Sequence, residues 1–298
     1  MPTTAHSPGS PRTHRPPPSP PYTARGVLLE HLDDLLAAAR QAPSAGARLP
    51  WRIRASRGSL ELLSAPHPGG RTDMVARVLD REDLISCGAA LLNIELAARD
   101  LGLVTRSTLL PDPDDPSLLV RIDIDALRAP RADEQELFAA VAQRHTRRAP
   151  FVRTYVPPGL LDHLAAAAGS EGAGLVAVPP GDALSRLDHE LRAAAPLARE
   201  DPASAAGLRA PWPGLDRGAP EMGHLDILTT AEDTPVDWLR AGRALQRLLL
   251  TATARWVGAR VFTLALADPA TRERVRLGLC AGAHPQVVLE LGDASQPT

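Results

Sequence analysis

The sequence predicts an α+β protein made of two similar halves that follow one another along the chain. Two pairs of segments repeat in the same order: LLEHLDDLLAAA at 28–39 resembles LLDHLAAAA at 160–168, and CGAALLNIELAARDLG at 87–102 resembles AGRALQRLLLTATARWVG at 241–258. Each segment of the second pair leads into a short β-like run, which is followed by an Asp-Pro dipeptide. A repeat of this length indicates duplication of a domain-sized unit rather than a solenoid. Chance similarity between alanine- and leucine-rich helices is the alternative.

The second pair of segments is predicted to form two long central helices. In the second half, Thr234, Pro235 and Asp237 predict the helix start, because threonine caps free backbone N–H groups and proline suits the first turn. Each helix has an apolar stripe with steps of three and four residues, ended by a glycine. The stripes are Leu84, Cys87, Leu91, Ile94, Ala98 and Leu101 before Gly102, and Trp238, Ala241, Leu245, Leu248, Ala252 and Trp256 before Gly258.

Short runs rich in β-branched and aliphatic residues predict strands on either side of these helices. The runs are SLELL, LVTRSTLL, LVAV, HLDILTT, ARVFTLAL and PQVVLEL, and they predict antiparallel or mixed sheets. Residues 26–130 and 131–298 are therefore predicted as the two halves, joined near 128–143. Residues 1–25 contain eight prolines and almost no large apolar side chain, so this segment is predicted to be disordered.

Composition excludes several classes of function. Among 298 residues, 33 basic and 35 acidic side chains leave a net charge of −2, which argues against binding nucleic acid through its phosphates. No apolar run approaches the ~18 residues of a membrane span, so we expect a cytoplasmic protein. Two cysteines, Cys87 and Cys280, are too few for a disulfide framework or a zinc site, and we expect reduced core thiols. The sequence has no lysine, which excludes Schiff-base lysine chemistry and a Walker-type phosphate loop.

The run QRHTRRAPFVRTYVPP at 143–158 concentrates four arginines without any acidic residue. Planar guanidinium groups bind phosphate oxygens in pairs, so the run is a candidate anion-binding element. An exposed arginine-rich linker between the halves is the alternative.

Three stretches resemble the nitroreductase superfamily, specifically the divergent actinobacterial nitroreductase-like group often called the Acg family. RHTRRAPF followed by VPPGLLDHLAAAA is similar to the Arg-rich start of the family, and APSAGARLPWRI at 42–53 is similar to its Pro-Ser loop. WLRAGRALQRLLLTATARWVGA is similar to the central helix, with LISCGAALLNIELAARDLGL as its counterpart in the first half. The resemblance covers about 28–292.

The resemblance implies a nitroreductase-like fold and an FMN site between the halves. Ordinary members are homodimers in which the Arg-rich start of one subunit and the Pro-Ser loop of the other hold the flavin. Here the first element lies in the second half and the second element lies in the first half. The resemblance therefore implies a single-chain pseudo-dimer, monomeric in solution, with at most one site. The implied cofactor-binding residues are Arg144, His145, Thr146, Arg148, Pro43, Ser44 and Trp51.

The Pro-Ser loop departs from the family pattern at three positions. Gly46, Ala47 and Leu49 stand where histidine, asparagine and glutamine are expected. Those polar groups contact the edge of the flavin ring, so their absence is expected to weaken FMN binding or change its potential.

The resemblance implies an FMN-dependent oxidoreductase that takes electrons from NAD(P)H and passes them to a small organic oxidant in a ping-pong cycle. No catalytic side chain and no metal are expected, because the flavin carries the chemistry. Two alternatives remain open: a non-catalytic protein that binds or sequesters flavin, and a relic that binds none.

Overall fold

The computed structural model describes residues 30–44, 49–56, 58–65, 74–145, 151, 155–193 and 224–293, with the side chains of 74–80 and of Ala265 left aside. The prediction for the proline-rich segment 1–25 lies outside these residues, as do Gly46, Ala47, Thr146 and Arg148.

The described chain contains seven α-helices and eight strands. The first part contains α1 (Leu32–Arg40), β1 (Trp51–Ser56), β2 (Ser59–Ser64), α2 (Met74–Asp100), β3 (Leu103–Leu109) and β4 (Leu118–Leu127). The second part contains α3 (Ala132–Gln143), α4 (Leu160–Ser170), β5 (Gly174–Val178), α5 (Asp182–Ala193), β6 (His224–Thr230), α6 (Pro235–Thr253), β7 (Val257–Phe262), a 3-10 turn (Leu264–Leu266), α7 (Pro269–Leu279) and β8 (His284–Asp293).

The eight strands form two four-stranded antiparallel sheets with the same topology. The first sheet has the order β1-β2-β4-β3 and the second has the order β5-β6-β8-β7. In both sheets, the last strand in sequence lies between the second and third strands, and it carries a register shift against the second strand. The α+β class with two antiparallel sheets is therefore confirmed.

Helices α2 and α6 cross at two glycines, and their contacts are reciprocal. A Cβ built on Gly88 would lie 2.0 Å from the carbonyl oxygen of Leu239, and a Cβ built on Gly242 would lie 1.9 Å from that of Ile85. Ile85 precedes Gly88 by three residues, as Leu239 precedes Gly242. Each helix thus presents the same pair of positions to the other, which is the contact pattern of a two-fold axis. The two helices form the predicted centre of the molecule.

Apolar packing divides into a core on each side of this crossing. Leu35, Trp51, Leu62 and Leu91 belong to the cluster around the first sheet, and Leu164, Leu245, Val261 and Leu289 belong to one around the second. Both cysteines are buried free thiols, as expected. None of the helices in the described part of the chain is both long and apolar enough to span a bilayer.

The six predicted strands are found, but three details differ from the predictions. Two strands were missed, β1 and β4. Part of the predicted junction is helix α3, whose Ala140 and Val141 pack on Leu92 and Leu250 of the central helices. The run ARVFTLAL is only partly strand, since β7 ends at Phe262.

The ends of the second central helix and of the strand after it also differ from the predictions. Helix α6 ends at Thr253, and the left-handed residue after it is Trp256 at φ 59°, whereas Gly258 lies inside β7. The structural counterpart of Gly102, at φ 77°, is therefore Trp256. The second Asp-Pro dipeptide begins a helix rather than a turn, because an Asp268 carboxylate oxygen accepts a hydrogen bond from the backbone N–H of Thr271 at 2.8 Å.

Candidate functional site

The first arginine of the Arg-rich run joins the two parts of the chain. Arg144 follows the last residue of α3, and its Nη2 donates a hydrogen bond to the carbonyl oxygen of Gln41 at 2.8 Å. Gln41 is the residue after α1 and lies two positions before Pro43. The sequence separates these residues by more than a hundred positions, so the contact places the start of the run beside the Pro-Ser loop.

The side chain of Arg144 is half-buried. Burial lowers the pKa of Arg144 to about 10, because desolvation disfavours the charged form of the group. An anion next to this side chain would offset that cost. The position therefore fits an anionic ligand held between the two parts of the chain.

The run is also anchored at its aromatic residue, Phe151. Phe151 is buried, and a Cβ built on Gly292 would lie 2.4 Å from Cγ of its ring. Gly292 lies on β8 of the second sheet. The segment from Arg144 to Phe151 thus connects the end of α1 with the last strand of the second sheet, while Thr146 and Arg148 lie outside the described residues.

The other predicted site residues lie near this contact or in the core. Pro43 is buried and Ser44 is half-buried. His145 is exposed, and its Nδ1 lies 2.8 Å from the carbonyl oxygen of Gln143. Trp51 is only 6% exposed, begins β1 opposite Ser64, and packs within the first core. The tryptophan therefore anchors the far end of the Pro-Ser loop.

A cavity of about 730 Å³ lies where this loop meets the two central helices. Its volume falls within the ~300–1,000 Å³ range of small-molecule sites. Leu84 and Cys87 of α2 line it together with Pro235 and Trp238 of α6, and Pro50 connects it to the Pro-Ser loop. Both parts of the chain thus contribute to its wall.

The charged residues lining this cavity are acidic. Asp83 and Asp112 line it, and no arginine or histidine does so among the described residues. A phosphate group would be repelled there, whereas an uncharged or cationic ring would fit the apolar wall. Sequence periodicity assigned Leu84, Cys87 and Trp238 to the core face of their helices, so no signal in the sequence identified them as cavity residues.

A buried hydrogen-bond network around Arg81 connects the two parts of the chain. Arg81 of α2 is 1% exposed and donates hydrogen bonds to the side-chain Oε1 of Gln286 at 2.8 Å and to its carbonyl oxygen at 3.0 Å. Gln286 in turn donates to Asp233 at 3.1 Å, which also accepts hydrogen bonds from Trp238 and Arg272. Burial, reinforced by the positive charge of Arg272, lowers the pKa of Arg81 to about 10. No pattern in the sequence indicated this network.

No site for a metal ion is formed by the residues that the structure describes, since no three histidine, cysteine or carboxylate side chains come together there.

Solved nitroreductases overlap with part of the chain. A nitroreductase with bound FMN from Desulfitobacterium hafniense is 20% identical and covers 55% of this chain and 91% of its own, with a TM-score of 0.38. The FMN-dependent nitroreductase NfnB from Mycobacterium smegmatis, solved in complex with NADPH, is 17% identical and covers 54% of this chain and 88% of its own, with a TM-score of 0.38.

Similarity to curated proteins extends over most of the chain. No protein-family model matches it. Two proteins of Mycobacterium tuberculosis, from strains CDC 1551 / Oshkosh and H37Rv, are 32% identical over 299 aligned positions. The alignment covers 88% of this chain and 85% of each relative, and both relatives bear the name "Putative NAD(P)H nitroreductase". By this identity and coverage, the chain belongs to the NAD(P)H nitroreductase family.

Proposed function

We propose that this protein is an FMN-dependent oxidoreductase that uses NAD(P)H to reduce a small organic oxidant. The observation that carries the proposal is the hydrogen bond from Arg144 to the carbonyl oxygen of Gln41 at 2.8 Å. It supports a composite site in which the Arg-rich run faces the Pro-Ser loop. Membership of the nitroreductase family supports the choice of FMN as the ligand of that site.

The residues of the Arg-rich run would hold the phosphate and the ring edge of the cofactor. Arg144 offers a half-buried cation, and Arg148 would add a second guanidinium to the same anion. His145 and Thr146 lie between them in sequence. Pro43 and Ser44 would form the opposite wall, with Trp51 fixing the end of that loop in the core.

The 730 Å³ cavity does not fit the phosphate, because its lining contains Asp83 and Asp112 and no cation among the described residues. Its apolar wall fits a small organic molecule. We therefore expect the phosphate at the Arg-rich run.

Bound FMN would supply the redox chemistry, accepting a hydride equivalent from NAD(P)H and delivering electrons to the oxidant in two alternating half-reactions. The protein would position the reactants, exclude water and provide positive charge near the ring. No side chain need act as a nucleophile.

We also propose that residues 26–130 and 131–298 are fused halves of an ancestral dimer, which makes the protein a monomer with one composite site. The shared strand order of the two sheets supports this proposal, as do the reciprocal contacts of Gly88 and Gly242. The counterpart of the Pro-Ser loop is absent, since α4 and β5 are joined by only Glu171, Gly172 and Ala173.

A second candidate function is a protein that binds flavin without turnover. The Pro-Ser loop favours it, because apolar Leu49, 39% exposed, stands where a ring-contacting glutamine is expected. The third alternative, a family member that has lost flavin binding, would leave the Arg-rich run without a ligand.

Purification of the full chain tests these alternatives. Yellow protein, or micromolar binding of added FMN, supports the proposal and excludes the relic. Bleaching of the bound flavin by NADH or NADPH, followed by reoxidation with a nitroarene or a quinone, supports the enzyme. Flavin that binds tightly but is not reduced by either nicotinamide would establish the non-catalytic alternative.

A further inference from the structure

A second groove between the two parts of the chain is lined by arginines and hydroxyls. It encloses about 530 Å³ between β3, the end of α4 and the first turns of α6. Three arginines and three hydroxyl side chains line it: Arg106, Arg240, Arg243, Ser107, Thr108 and Ser170. We call it the arginine groove. It shares no lining residue with the 730 Å³ cavity or with the Arg-rich run.

The inner wall of the groove is fixed by buried carboxylates. Arg243 contacts Glu95 through Nη2 at 3.0 Å and Glu171 through Nε at 2.8 Å. Arg247 donates to the other oxygen of Glu171 at 2.6 Å, and Ser107 donates to Glu95 at 2.6 Å. The carboxylates of Glu95 and Glu171 are therefore already in contact with arginine or hydroxyl groups. This network orders Arg243 before any ligand binds.

The outer wall retains hydrogen-bond donors that the described residues do not use. Arg240 is about half exposed, and its nearest carboxylate is Asp237 at 3.6 Å, beyond hydrogen-bond distance. Its guanidinium donates no hydrogen bond to any residue that the structure describes. Arg106 uses Nη2 to bind Asp125 at 2.7 Å, which leaves its other donors facing solvent. The groove therefore offers donors in excess of acceptors.

We propose that the arginine groove binds the phosphate or diphosphate group of a small molecule. Guanidinium groups on two sides match the several oxygens of a phosphate, and the hydroxyl of Thr108 adds a neutral donor at the same wall. The volume exceeds that of a diphosphate alone, so a nucleotide also fits. The proposal is independent of flavin binding and concerns a different surface.

Isothermal titration with sodium pyrophosphate tests the groove directly. The Arg-rich run could also bind this anion, so the comparison is made in the full chain carrying Arg144→Ala and Arg148→Ala. We expect pyrophosphate to bind in this background. Adding Arg240→Gln should lower the affinity at least about tenfold, whereas adding Arg192→Gln instead should leave the affinity unchanged. Arg192 is the matched control, because it pairs only with Asp188 on the surface of α5 in the described part of the chain.

Absence of pyrophosphate binding in this background would overturn the proposal, as would equal affinity of the Arg240→Gln and Arg192→Gln chains. Circular dichroism checks that each variant is folded. If the background does not fold, the same substitutions are compared in the natural chain, where Arg240→Gln should remove one of the titrated sites. Displacement of pyrophosphate by NADPH would identify a dinucleotide as the source of the phosphate, and displacement by inorganic phosphate alone would identify a free anion.

Discussion

Gly88 and Gly242 lie against each other where the two central helices cross, with no space for a methyl group on either. A Cβ on Gly88 would be 3.0 Å from the Cα of Gly242 and 2.0 Å from the carbonyl oxygen of Leu239. Both atoms belong to backbone, so a side-chain rotation cannot relieve the clash. We expect Gly88→Ala to lower the free energy of unfolding by about 2 kcal/mol despite the better helix propensity of alanine. Urea unfolding followed by circular dichroism measures this loss.

Gly169→Ala is the matched control for this prediction. Gly169 is also helical, and a Cβ there meets nothing within 4 Å. Alanine at this position should raise the free energy of unfolding by roughly 0.5–1 kcal/mol. Equal changes in the free energy of unfolding for the two substitutions would show that α2 and α6 can move apart at little energetic cost.

The buried guanidinium of Arg81 predicts a large loss of stability on substitution. Arg81→Met keeps much of the aliphatic volume but leaves two acceptors of Gln286 without their donor. We expect a loss of about 2–4 kcal/mol, because unsatisfied buried polar groups keep their full desolvation cost. Arg106→Met, at an exposed ion pair with Asp125, should change stability by less than about 0.5 kcal/mol. Guanidinium-chloride unfolding distinguishes the two outcomes.

Glu134 predicts a loss of stability in acid. Burial alone would raise its pKa, but hydrogen bonds from Arg128, the backbone N–H of Arg131 and Arg99 outweigh burial and lower the pKa of Glu134 from 4.5 to about 2. Its stabilising contribution is therefore complete above pH 4.5 and disappears as the pH falls towards 2. Glu134→Gln should be less stable than the natural chain by ~1–2 kcal/mol at pH 7, allowing for solvent screening at the half-exposed Arg128.

Unfolding free energies measured between pH 7 and pH 2 check this prediction. The difference between the natural chain and Glu134→Gln should shrink to near zero at the acid end. Asp133→Asn is the control, because the neighbouring carboxylate is 68% exposed. A difference that stays constant across the whole range would show that Glu134 acts through packing rather than through its charge.

The Arg-rich run predicts a specific loss of flavin binding. Arg144→Ala combined with Arg148→Ala should weaken FMN binding at least a hundredfold, since each charge-assisted hydrogen bond to phosphate contributes ~1.5–3 kcal/mol. Fluorescence titration of FMN measures the effect. Arg106→Ala combined with Arg240→Ala removes as much charge from the arginine groove and should leave FMN affinity unchanged. If the two double variants behave alike, net charge rather than the run would be responsible.

A fused pair of halves predicts that the protein sediments as a monomer of 31.6 kDa. Helices α2 and α6 already pack against each other at the crossing, so no second copy is needed to cover it. Analytical ultracentrifugation across a range of concentrations checks the mass. A stable two-fold dimer would show that each half still requires an outside partner.

Much of the fold could be predicted because its signals are local. The stripes of the central helices and the capping residues Thr234 and Pro235 lie within a few residues of one another, and the structure places α6 where they indicate. Strand β4 was missed although its apolar residues alternate, because the Asp and Arg residues between them resemble an exposed loop. Helix α3 was missed because it has few large apolar residues and packs mainly through Ala140 and Val141.

The site was only partly predictable because it depends on contacts between distant parts of the chain. Resemblance to the family predicts that Arg144 and Pro43 face the same site, and the structure shows a hydrogen bond from Arg144 to Gln41, two positions before Pro43. Nothing local marks Arg81, whose partner Gln286 is 205 positions away. The arginine groove could not be predicted either, since Arg106 lies on β3 while Arg240 and Arg243 lie on α6, and these elements meet only after the two parts of the chain have packed.

The Arg-rich run is attached to the rest of the chain at two residues, Arg144 and Phe151. Arg144 is bound to the segment after α1, and Phe151 packs against Gly292 of the second sheet, so these two residues are attached to different parts of the structure. Any shift of one sheet relative to the other would change the distance between Arg144 and Phe151. We therefore expect flavin affinity to fall when the packing between the two sheets is disturbed, even by substitutions that lie far from the ligand.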